Sequence, residues 1–510
     1  MKDMSPKFGN SEEVDGFIQR VLTSLYKTTS AEWKKVSRKK LLAVFKESYR
    51  TVPAYKKFIL ENNIKIDNIT TLQDFNIVPP ITKKNYLRAY AWEELCKTKA
   101  LASQPLVMTA TSGSTGEPFY FPRTSTIDIQ SAVYHEMFMR SSKIAKNKSI
   151  LVIDCFGMGV WIGGLITYQA FKYISQRGYP LTIITPGINK HEIFQALKNL
   201  GPNYDQIILC GYPPFMKDVV DEAKDAGIVW SNYNIKIIFA AEGFSETFRD
   251  YLVKEIGIKD LYRDTMNIYG SADLGTMAQE SPLCILIRRL ALKHQSLYMS
   301  LFGQATRLPT LAQYIPEFIN FEEKNNSIYC TGDNALPLIR YEIGDNGGVL
   351  SYESVEEKFK KEGIDLQKEI QKVGITDSVT ELPFVYVYER SDFAASFYGA
   401  IMYPEFIKKG LLVEHLRTYV TGKFTMYTKN DENEDQYLEI NIELKPRQKV
   451  TRLIRAQVLR SIYDSLLSQS TEYKKLSESL GDRVYPKLVF WPQGHELHFI
   501  SGAKQKWVKK

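Results

Sequence analysis

Short apolar runs alternate with helical patterns between about Ser149 and Ser271, and this alternation constrains the fold of the 510-residue chain most strongly. The runs are rich in Ile and Val and continuous, which is typical of parallel strands buried on both faces. Strands that alternate with helices predict a parallel sheet covered on both faces, with ligands at the carboxyl ends of its strands. The predicted strands are SILVIDCF, LTIITP, QIILCG and IKIIFAAEG.

The segments between these runs carry helix start and stop signals. In SETFRDYLVKEIG, Ser245 is a natural N-cap and Gly257 ends the helical pattern. Two further helical patterns, KHEIFQALKNLG and FMKDVVDEAKDAG, also end in glycine. The stretch from Ile150 to Phe171 is long enough to span a membrane, but it contains Asp154 and four glycines. We interpret it as a buried strand, a turn and a helix, with no membrane span.

The pattern changes after about residue 390. QYLEINIEL alternates apolar and polar residues, which predicts a strand with one wet face. TRLIRAQVLRSIYDSLL predicts a helix, and KLVFW predicts another strand. Upstream, ESVEEKFKKEGIDLQKEIQK is predicted as one exposed charged helix. The fold class is therefore α/β, with a large N-terminal domain over 1–390 and a small C-terminal α+β domain over 391–510.

Composition and charge argue against several function classes. The chain is 44% hydrophobic and 24% charged, with a net charge of +8 that is small for its length. Its lysines are scattered, and no arginine-rich block indicates nucleic-acid binding. Five widely spaced cysteines without CxxC spacing argue against a disulfide framework or a zinc site and fit a reducing compartment. The N-terminus lacks the apolar core of a signal peptide, so we expect a cytoplasmic protein.

The segment TATSGSTGEPFYF, residues 109–121, places hydroxyls and glycines between apolar runs. Glycines let the backbone approach a ligand closely, while amides and hydroxyls converge on an anion. The segment lacks the lysine of the GxxxxGK[ST] loop. Taken alone, it also fits a surface turn.

TSGSTGEP resembles the phosphate-loop motif of the adenylate-forming enzymes, the superfamily of acyl-CoA synthetases, luciferases and adenylation domains. Within it, the phenylacetate–CoA ligase-like branch is the best match. TVPAYKKFILENN and TTLQDFNIVPPITKKNYL resemble the N-terminal segment of that branch. Downstream, four further segments occur in the family's order and with approximately its spacing: AAEGF, NIYGSADLG, LPLIRYEIGDNG and YERSDFAASFYGAIMYPEFI. The resemblance covers nearly the whole chain from about residue 40.

The resemblance implies a large adenylate-forming domain, a mobile C-terminal lid domain and a set of site residues. The residues expected to bind the ATP phosphates are Thr111, Ser112, Gly113, Ser114, Thr115 and Gly116. Those expected around adenine and ribose are Ala241, Glu242, Gly243, Tyr269, Gly270, Asp345 and Arg390. Asp273 is the expected Mg²⁺ ligand, and Ser391 and Asp392 form the expected hinge.

Two of these motifs leave alternatives open. The family's YGxTE motif reads Tyr-Gly-Ser-Ala-Asp here, so Ala272 replaces a phosphate-contacting hydroxyl and Asp273 is one methylene shorter than Glu. Aspartate still binds a hard cation, although Asp273 also fits a helix N-cap and reduced activity is an alternative. Of two Gly-Asp pairs, CTGDNA carries the family's usual threonine before Asp333, but PLIRYEIGD has the flanking residues of the branch. We therefore assign the ribose to Asp345 and interpret Asp333 as a turn residue.

The catalytic lysine of the family is expected near the C-terminus. FISGAKQKWVKK resembles its Gly-Lys ending with an alanine inserted, and Lys504 lies nearest the glycine. Lys506, Lys509 and Lys510 compete with it, and a basic solvated tail is the alternative. The acyl pocket is expected to include Phe156, Met158 and Trp161, although aromatic residues in such a segment also serve packing.

These inferences predict an AMP-forming acid–thiol ligase that uses ATP and Mg²⁺, with a carboxylic acid as substrate and CoA as the expected acceptor. Attack of the carboxylate on the α-phosphate joins two anions and therefore needs positive charge and hydrogen-bond donors at the site. Transfer to a carrier protein or an amine, adenylyl transfer to a hydroxyl, and a catalytically weak nucleotide-binding protein stay open. A homodimer also stays open, and nucleic acid and membrane are not expected as partners.

Overall fold

The computed structural model describes residues 11–98, 100–111, 118–159, 162–303, 308–390, 395–411, 413–416, 418–495 and 498–499. Its helices α1 to α17 are Ser11–Leu25, Ser30–Thr51, Pro53–Glu61, Leu72–Phe75, Ala100–Ser103, Ser125–Ser141, Ile162–Ser175, Lys190–Asn199, Pro213–Glu222, Glu246–Ile256, Pro282–Lys293, Gln295–Phe302, Tyr352–Lys361, Leu366–Lys372, Pro404–Leu411, Arg452–Gln469 and Thr471–Leu480. Its strands β1 to β18 are Val107–Ala110, Tyr120–Arg123, Ile150–Asp154, Leu181–Ile184, Gln206–Gly211, Ile235–Ala240, Thr265–Ser271, Gly275–Gln279, Thr310–Gln313, Ile319–Lys324, Ser327–Gly332, Leu338–Leu350, Phe384–Arg390, Ala395–Phe397, Ala400–Met402, Val420–Asn430, Gln436–Leu444 and Lys487–Trp491.

The Ile- and Val-rich runs form the parallel part of an eleven-stranded sheet, which confirms the α/β prediction. The strand order is β10-β11-β12-β13-β9-β8-β7-β6-β5-β3-β4. The strands from β4 through β3, β5 and β6 to β7 pair in parallel. From β7 to β10 every pairing is antiparallel, so the large sheet is mixed rather than parallel throughout. All five residues of β3 are buried, as a strand covered on both faces requires.

The helix α10 begins and ends where the sequence signals predict, whereas α9 ends at Glu222, before the predicted stop at Gly227. The hydroxyl of Ser245 accepts a hydrogen bond from the backbone N–H of Phe248 at 3.0 Å. Gly257 ends α10 in the left-handed region, at φ 80°, where glycine has no Cβ to clash. The segment Ile150–Phe171 contains β3 and the first part of α7. Within the described ranges, no helix combines the length and hydropathy that crossing a membrane requires.

A separate three-stranded sheet, in the order β16-β17-β18, follows the large one. The strand predicted to have one wet face is β17, and its apolar face is buried at Leu438, Ile440, Ile442 and Leu444. Asn441 and Glu443 on the opposite face are buried as well, so that face is not wet along its whole length. The predicted stripe on α16 is also buried, at Ile454, Val458, Ile462 and Leu466. We call β14–β18 with α15–α17 the C-terminal unit.

One predicted element is wrong in its extent. The charged segment after Ser351 forms two helices, α13 and α14, and Gly363 lies between them at φ 71°. Its first helix is amphipathic, with Tyr352, Val355 and Phe359 buried. These side chains pack into a core cluster with residues of α11 and α12. The abundance of charge in the sequence concealed this apolar stripe.

Four buried charges join α10, α11 and the end of β8. Arg249 donates to Glu280 at 2.7 Å and to Glu246 at 3.0 Å. Arg288 contacts the same two glutamates at 2.8 and 2.9 Å. All four side chains are nearly inaccessible to solvent. Burial alone would lower the pKa of Arg249, but Glu280 and Glu246 raise it above its usual value.

Replacing Glu280 with Gln should destabilise the fold strongly, because it leaves two buried guanidinium groups with one compensating carboxylate. We expect the free energy of unfolding to fall by about 3–5 kcal/mol, the usual cost of breaking a buried ion pair. Urea denaturation followed by circular dichroism measures this change. The matched control is Asp464→Asn, which breaks an exposed pair with Arg460 on α16 and should leave the midpoint essentially unchanged. Equal midpoints for the two variants would contradict the assigned role of the buried cluster.

Candidate functional site

A cavity of about 670 Å³ opens where the parallel strands end. Its walls include residues that follow β3, β5, β6 and β7 at their carboxyl ends, which is where the alternating pattern predicts a ligand. Residues of the antiparallel part of the sheet and of the C-terminal unit complete the walls. The cavity therefore lies between all three parts of the fold.

Tyr269 and Asp345 meet in this cavity although 76 positions separate them. The Tyr269 hydroxyl donates to Oδ2 of Asp345 at 2.6 Å. Tyr269 lies on β7 and its ring stacks against Phe321 of β10, with 6.0 Å between centroids. Asp345 lies on β12 and is buried. The structure thus brings together two residues that the sequence assigns to nucleotide binding.

Asp333, in the other Gly-Asp pair, has a different environment. Its carboxylate binds the ammonium group of Lys97 at 2.7 Å, and Lys40 lies 3.8 Å away. Lys97 also binds Glu47 of α2. Asp333 is not among the residues that line the cavity, whereas Asp345 is. The geometry agrees with the assignment made from the flanking residues.

The turn between β7 and β8 carries Asp273 into the cavity wall. Asp273 is buried, and its Oδ2 has no hydrogen-bond partner among the described residues. The Ser271 hydroxyl accepts from the backbone N–H of Leu274 at 3.2 Å. Ser271 also lines the cavity, so its hydroxyl lies in the same wall as Ala272 and Asp273.

Two carboxylates give this end of the cavity its negative charge. Burial raises the pKa of the Cys330 thiol well above its usual value, and Asp345 and Asp273 raise it further. Both carboxylates therefore lie close to one buried thiol. An arrangement of this kind favours a bound cation, although no cluster of three or more metal-binding side chains occurs in the described part of the chain.

The three residues predicted to edge the adenine follow β6 and line the cavity. Ala241 takes φ 75°, a left-handed conformation that is unusual for a residue with a Cβ. A Cβ at Gly243 would lie 2.9 Å from the hydroxyl of Thr310, so a larger residue here would displace that side chain. The Glu242 backbone carbonyl accepts from Nδ2 of Asn267 at 3.1 Å. This bond fixes the amide of Asn267 and leaves its buried Oδ1 without a described partner.

Asn267 and Lys83 also line the cavity, although neither was predicted as a site residue from the sequence. Asn267 precedes Tyr269 by two positions on β7, so the alternation of strand side chains could have indicated it. Lys83 follows the capping residue Thr82 in the quoted ITKK turn. Backbone hydrogen bonds from Ile81 to β12 fix that turn beside the strand that carries Asp345. The Lys83 ammonium group has no ion-pair partner among the residues that the structure describes.

Several predicted site residues are only partly described. Thr111 lines the cavity, and its hydroxyl accepts from the backbone N–H of Phe119 at 3.3 Å. Arg390 ends β13 with its Cα opposite that of Asp345. The predicted residues that lie outside the described ranges are Ser112, Gly113, Ser114, Thr115, Gly116, Trp161, Ser391, Asp392 and Lys504.

The predicted acyl-pocket residues have different positions. Phe156 lines the cavity, and its ring meets that of Tyr212 edge-on at 5.1 Å. Met158 is not among the lining residues. Its sulfur packs so closely against Gly164 of α7 that a Cβ there would lie 2.3 Å away. Met158 therefore supports α7, and the pocket prediction was wrong for this residue.

The C-terminal unit closes one side of the cavity through Glu242. Its carboxylate accepts from the hydroxyl of Ser396 at 2.7 Å and from the amide of Gln436 at 3.0 Å. The backbone N–H of Gly399 also donates to it. Gly399 lies at φ 78° directly against the ring of Tyr212, where a Cβ would clash. The Glu242 carboxylate thus links the segment after β6 to the C-terminal unit. It does not face the space where the edge of a base would bind.

A second contact between the units is ionic, and we call it the α9 latch. It consists of Lys217 and Asp218 of α9 with Asp435 and Arg483 of the C-terminal unit. Arg483 contacts Asp218 at 2.6 Å and Asp435 at 2.7 Å. Lys217 contacts Asp435 at 2.7 Å. Burial raises the pKa of Asp218 to about 7, which Arg483 opposes.

No protein-family model and no characterised protein match this sequence. Solved structures do match its fold. A 2-hydroxyisobutyryl-CoA ligase in complex with 2-HIB-AMP and CoA, in the thioesterification state, superposes with a TM-score of 0.64 at 14% identity. The match covers 96% of this chain and 91% of the ligase. The chain has the fold of that ligase.

Two other states of the same ligase superpose less well. The postadenylation state with R3-HIB-AMP gives a TM-score of 0.54 at 13% identity, over 96% of this chain and 90% of the ligase. An open conformation with 2-HIB-AMP and CoA gives a TM-score of 0.51 at 13% identity, over 95% of this chain and 92% of the ligase.

Replacing Arg483 with Gln should loosen the C-terminal unit, because it removes the shared partner of Asp218 and Asp435 in the α9 latch. We expect amide hydrogen exchange to speed up by about 10-fold or more in α9 and in the loop around Asp435, since unpaired buried charge costs 1–3 kcal/mol or more. Arg460→Gln, which removes an exposed arginine of the same unit, serves as the control. Exchange rates that stay at the unmodified level in Arg483→Gln would refute the latch.

Proposed function

We propose that the chain is an ATP-dependent acid–thiol ligase of the phenylacetate–CoA ligase-like kind. One observation carries this proposal: Ala241–Gly243, Tyr269, Asp273 and Asp345 line one cavity, although they come from three separate motifs. Each motif was assigned to nucleotide binding from its resemblance to the adenylate-forming enzymes. The ligase fold of the matching structures supports the same reading, and those ligases bind an acyl-AMP and CoA.

The nucleotide would bind with its ribose at Asp345 and its base beside β6. A carboxylate accepts hydrogen bonds from both hydroxyls of a vicinal diol, which suits Asp345 for the ribose. Oδ1 of Asn267 is a buried acceptor without a partner in the described part of the chain, and it would accept from the exocyclic amine of adenine. Tyr269 would hold the Asp345 carboxylate in place through their 2.6 Å hydrogen bond. The backbone of Ala241–Gly243 would edge the adenine.

Positive charge and donors are needed around the phosphates. The hydroxyl-and-glycine segment from Thr111 to Gly116 would supply donors, and Lys83 would supply a cation on the adjoining wall. The unpaired Oδ2 of Asp273 fits Mg²⁺, which usually takes one or two carboxylates together with substrate phosphates. Bound there, Mg²⁺ would neutralise phosphate charge. Lys504 would contact the substrate carboxylate and the α-phosphate during adenylation, and Arg390 would reach the ribose or α-phosphate.

The proposed reaction has two steps. A carboxylate oxygen attacks the α-phosphorus, which forms the acyl-adenylate and breaks the bond to pyrophosphate. The sulfur of a thiol, CoA in the first instance, then attacks the acyl carbon, and AMP leaves. A hinge at Ser391 and Asp392 would let the C-terminal unit turn between the steps.

A catalytically weak nucleotide-binding protein is the second candidate, because Ala272 lacks the hydroxyl that contacts phosphate in the family that the sequence resembles. The two candidates differ in one measurement. A ligase exchanges labelled pyrophosphate into ATP when its acid is present, whereas a binding protein takes up ATP without acid-dependent exchange. A panel of aryl and aliphatic acids, with CoA added in a second series, separates them and tests the acceptor.

Asp345→Asn should lower kcat/KM for ATP in pyrophosphate exchange by about 10- to 100-fold, because hydrogen bonds to a charged group contribute about 1.5–3 kcal/mol. Asp333→Asn is the matched control, since it changes the other Gly-Asp pair. It removes the ion pair with Lys97 and should lower the melting temperature while leaving the KM for ATP within about twofold. Loss of exchange in Asp333→Asn with full exchange in Asp345→Asn would reverse the assignment.

A further inference from the structure

Two neighbouring glycines, Gly163 and Gly164, lie at the start of α7, and their surroundings differ. Gly164 is buried, and a Cβ there would lie 2.9 Å from the carbonyl oxygen of Gly157, so packing excludes a side chain. Gly163 is half-buried and lines the cavity. A Cβ at Gly163 would lie 3.5 Å from Cβ and Cγ of Phe156 and from the hydroxyl of Tyr212, which are its nearest described neighbours. The position therefore has room for a Cβ.

Neither the backbone nor the packing explains why Gly163 lacks a side chain. Its backbone is helical, and it is not among the glycines that the structure places at positive φ. A separation of 3.5 Å is an ordinary van der Waals distance, so an alanine would fit without displacing its neighbours. Glycine within a helix is also less stable than alanine, because it has more conformational freedom to lose on folding. What the glycine does provide is open space in the wall of the cavity.

The side chains opposite Gly163 are fixed, so their movement cannot fill this space. Phe156 is buried, and its ring meets that of Tyr212 edge-on. The Tyr212 hydroxyl accepts a hydrogen bond from the backbone N–H of Gly157, and Gly399 packs against the Tyr212 ring. A side chain longer than that of alanine at position 163 would therefore extend into the cavity. Residue 163 thus controls how much of the cavity a ligand can occupy on this side.

We propose that Gly163 sets the upper size of the acid substrate, because the acyl group occupies the space that a side chain at this position would fill. This inference rests on the proposed function and describes the acid of the same site. The cavity-lining residues next to Gly163 are Ile162 and, one turn later on the same helix, Ile166, with Phe156 and Tyr212 opposite. None of these side chains carries a charge. The acyl group is therefore apolar where it faces α7 and bulkier than that of acetate or propionate.

A size series of acids tests the proposal in acid-dependent pyrophosphate exchange. The acids are acetate, propionate, hexanoate, benzoate and phenylacetate, and the unmodified protein should use at least one of the larger acids with a higher kcat/KM than acetate. Gly163→Ala should lower kcat/KM for that acid by about 10-fold and Gly163→Leu by about 100-fold or more, since one methylene in an apolar pocket is worth about 10- to 200-fold. The values for acetate and propionate should stay within about threefold. A preference for acetate, or a size profile that Gly163→Leu leaves unchanged, would overturn the proposal.

Melting curves separate a size limit from a packing role. Gly163→Ala should leave the melting temperature unchanged or raise it by about 1–2 °C, because alanine favours the helix and its Cβ fits. Gly164→Ala should lower the melting temperature, since its Cβ would meet the carbonyl oxygen of Gly157. Gly16→Ala makes the same exchange on α1, where a Cβ meets no described atom within 4 Å, and should leave the size profile unchanged. Melting temperatures that fall equally in Gly163→Ala and Gly164→Ala would overturn the proposal, because they would make Gly163 a packing residue.

A binding measurement keeps the size limit apart from the ligase function. If none of the acids supports exchange, the proposed ligase function fails, and calorimetric titration of the same acids into the protein then decides about Gly163. An acid that binds the unmodified protein and Gly16→Ala equally, and Gly163→Leu more weakly by about 10-fold or more, would support the size limit without catalysis. Binding that Gly163→Leu leaves unchanged, or binding of none of the acids, would overturn it.

Discussion

The hydrogen bond between Tyr269 and Asp345 depends on how the large sheet curves, and so does the rest of the site. In the strand order, β8, β9 and β13 lie between β7 and β12. With about 4.8 Å between neighbouring strands, a flat sheet would hold these two strands about 19 Å apart. The hydroxyl and carboxylate are nevertheless 2.6 Å apart. The antiparallel part must therefore curl back over the β7–β8 hairpin, where Leu274 packs against Gly332 so closely that a Cβ at Gly332 would clash.

The C-terminal unit adds a second constraint, because its contacts use residues that also bound the cavity. Glu242 binds Ser396 and Gln436, and Gly399 packs on Tyr212. The α9 latch lies farther along the same interface. A change in the orientation of this unit would break these contacts and open the wall beside Glu242. Access to the cavity and the position of the C-terminal unit are thereby coupled.

The sequence predicted well what local patterns determine and less well what long-range pairing determines. The parallel strands β3–β6 could be predicted because strands buried on both faces need continuous apolar residues. The helix α10 could be predicted because Ser245 and Gly257 mark its ends. The antiparallel strands β9–β13 follow from register between distant segments, which no local period records. In α13, abundant charge concealed the buried Val355 and Phe359.

The site residues also divide into those that a local pattern indicates and those that only long-range contacts define. Asp345 was distinguishable from Asp333 by its flanking residues, and the ion pair of Asp333 with Lys97 agrees with that choice. The contacts of the Glu242 carboxylate could not be found, because its partners Ser396 and Gln436 lie more than 150 positions farther along the chain. The roles assigned to Thr111–Gly116 and Lys504 stay predictions from sequence resemblance.

A crystal structure with a non-hydrolysable ATP analogue would show directly whether the nucleotide binds in this cavity with its ribose at Asp345. We expect both ribose hydroxyls within hydrogen-bonding distance of the Asp345 carboxylate, with the adenine beside Ala241–Gly243 and the amine near Oδ1 of Asn267. A nucleotide bound outside this cavity, or a ribose held by Asp333, would contradict it.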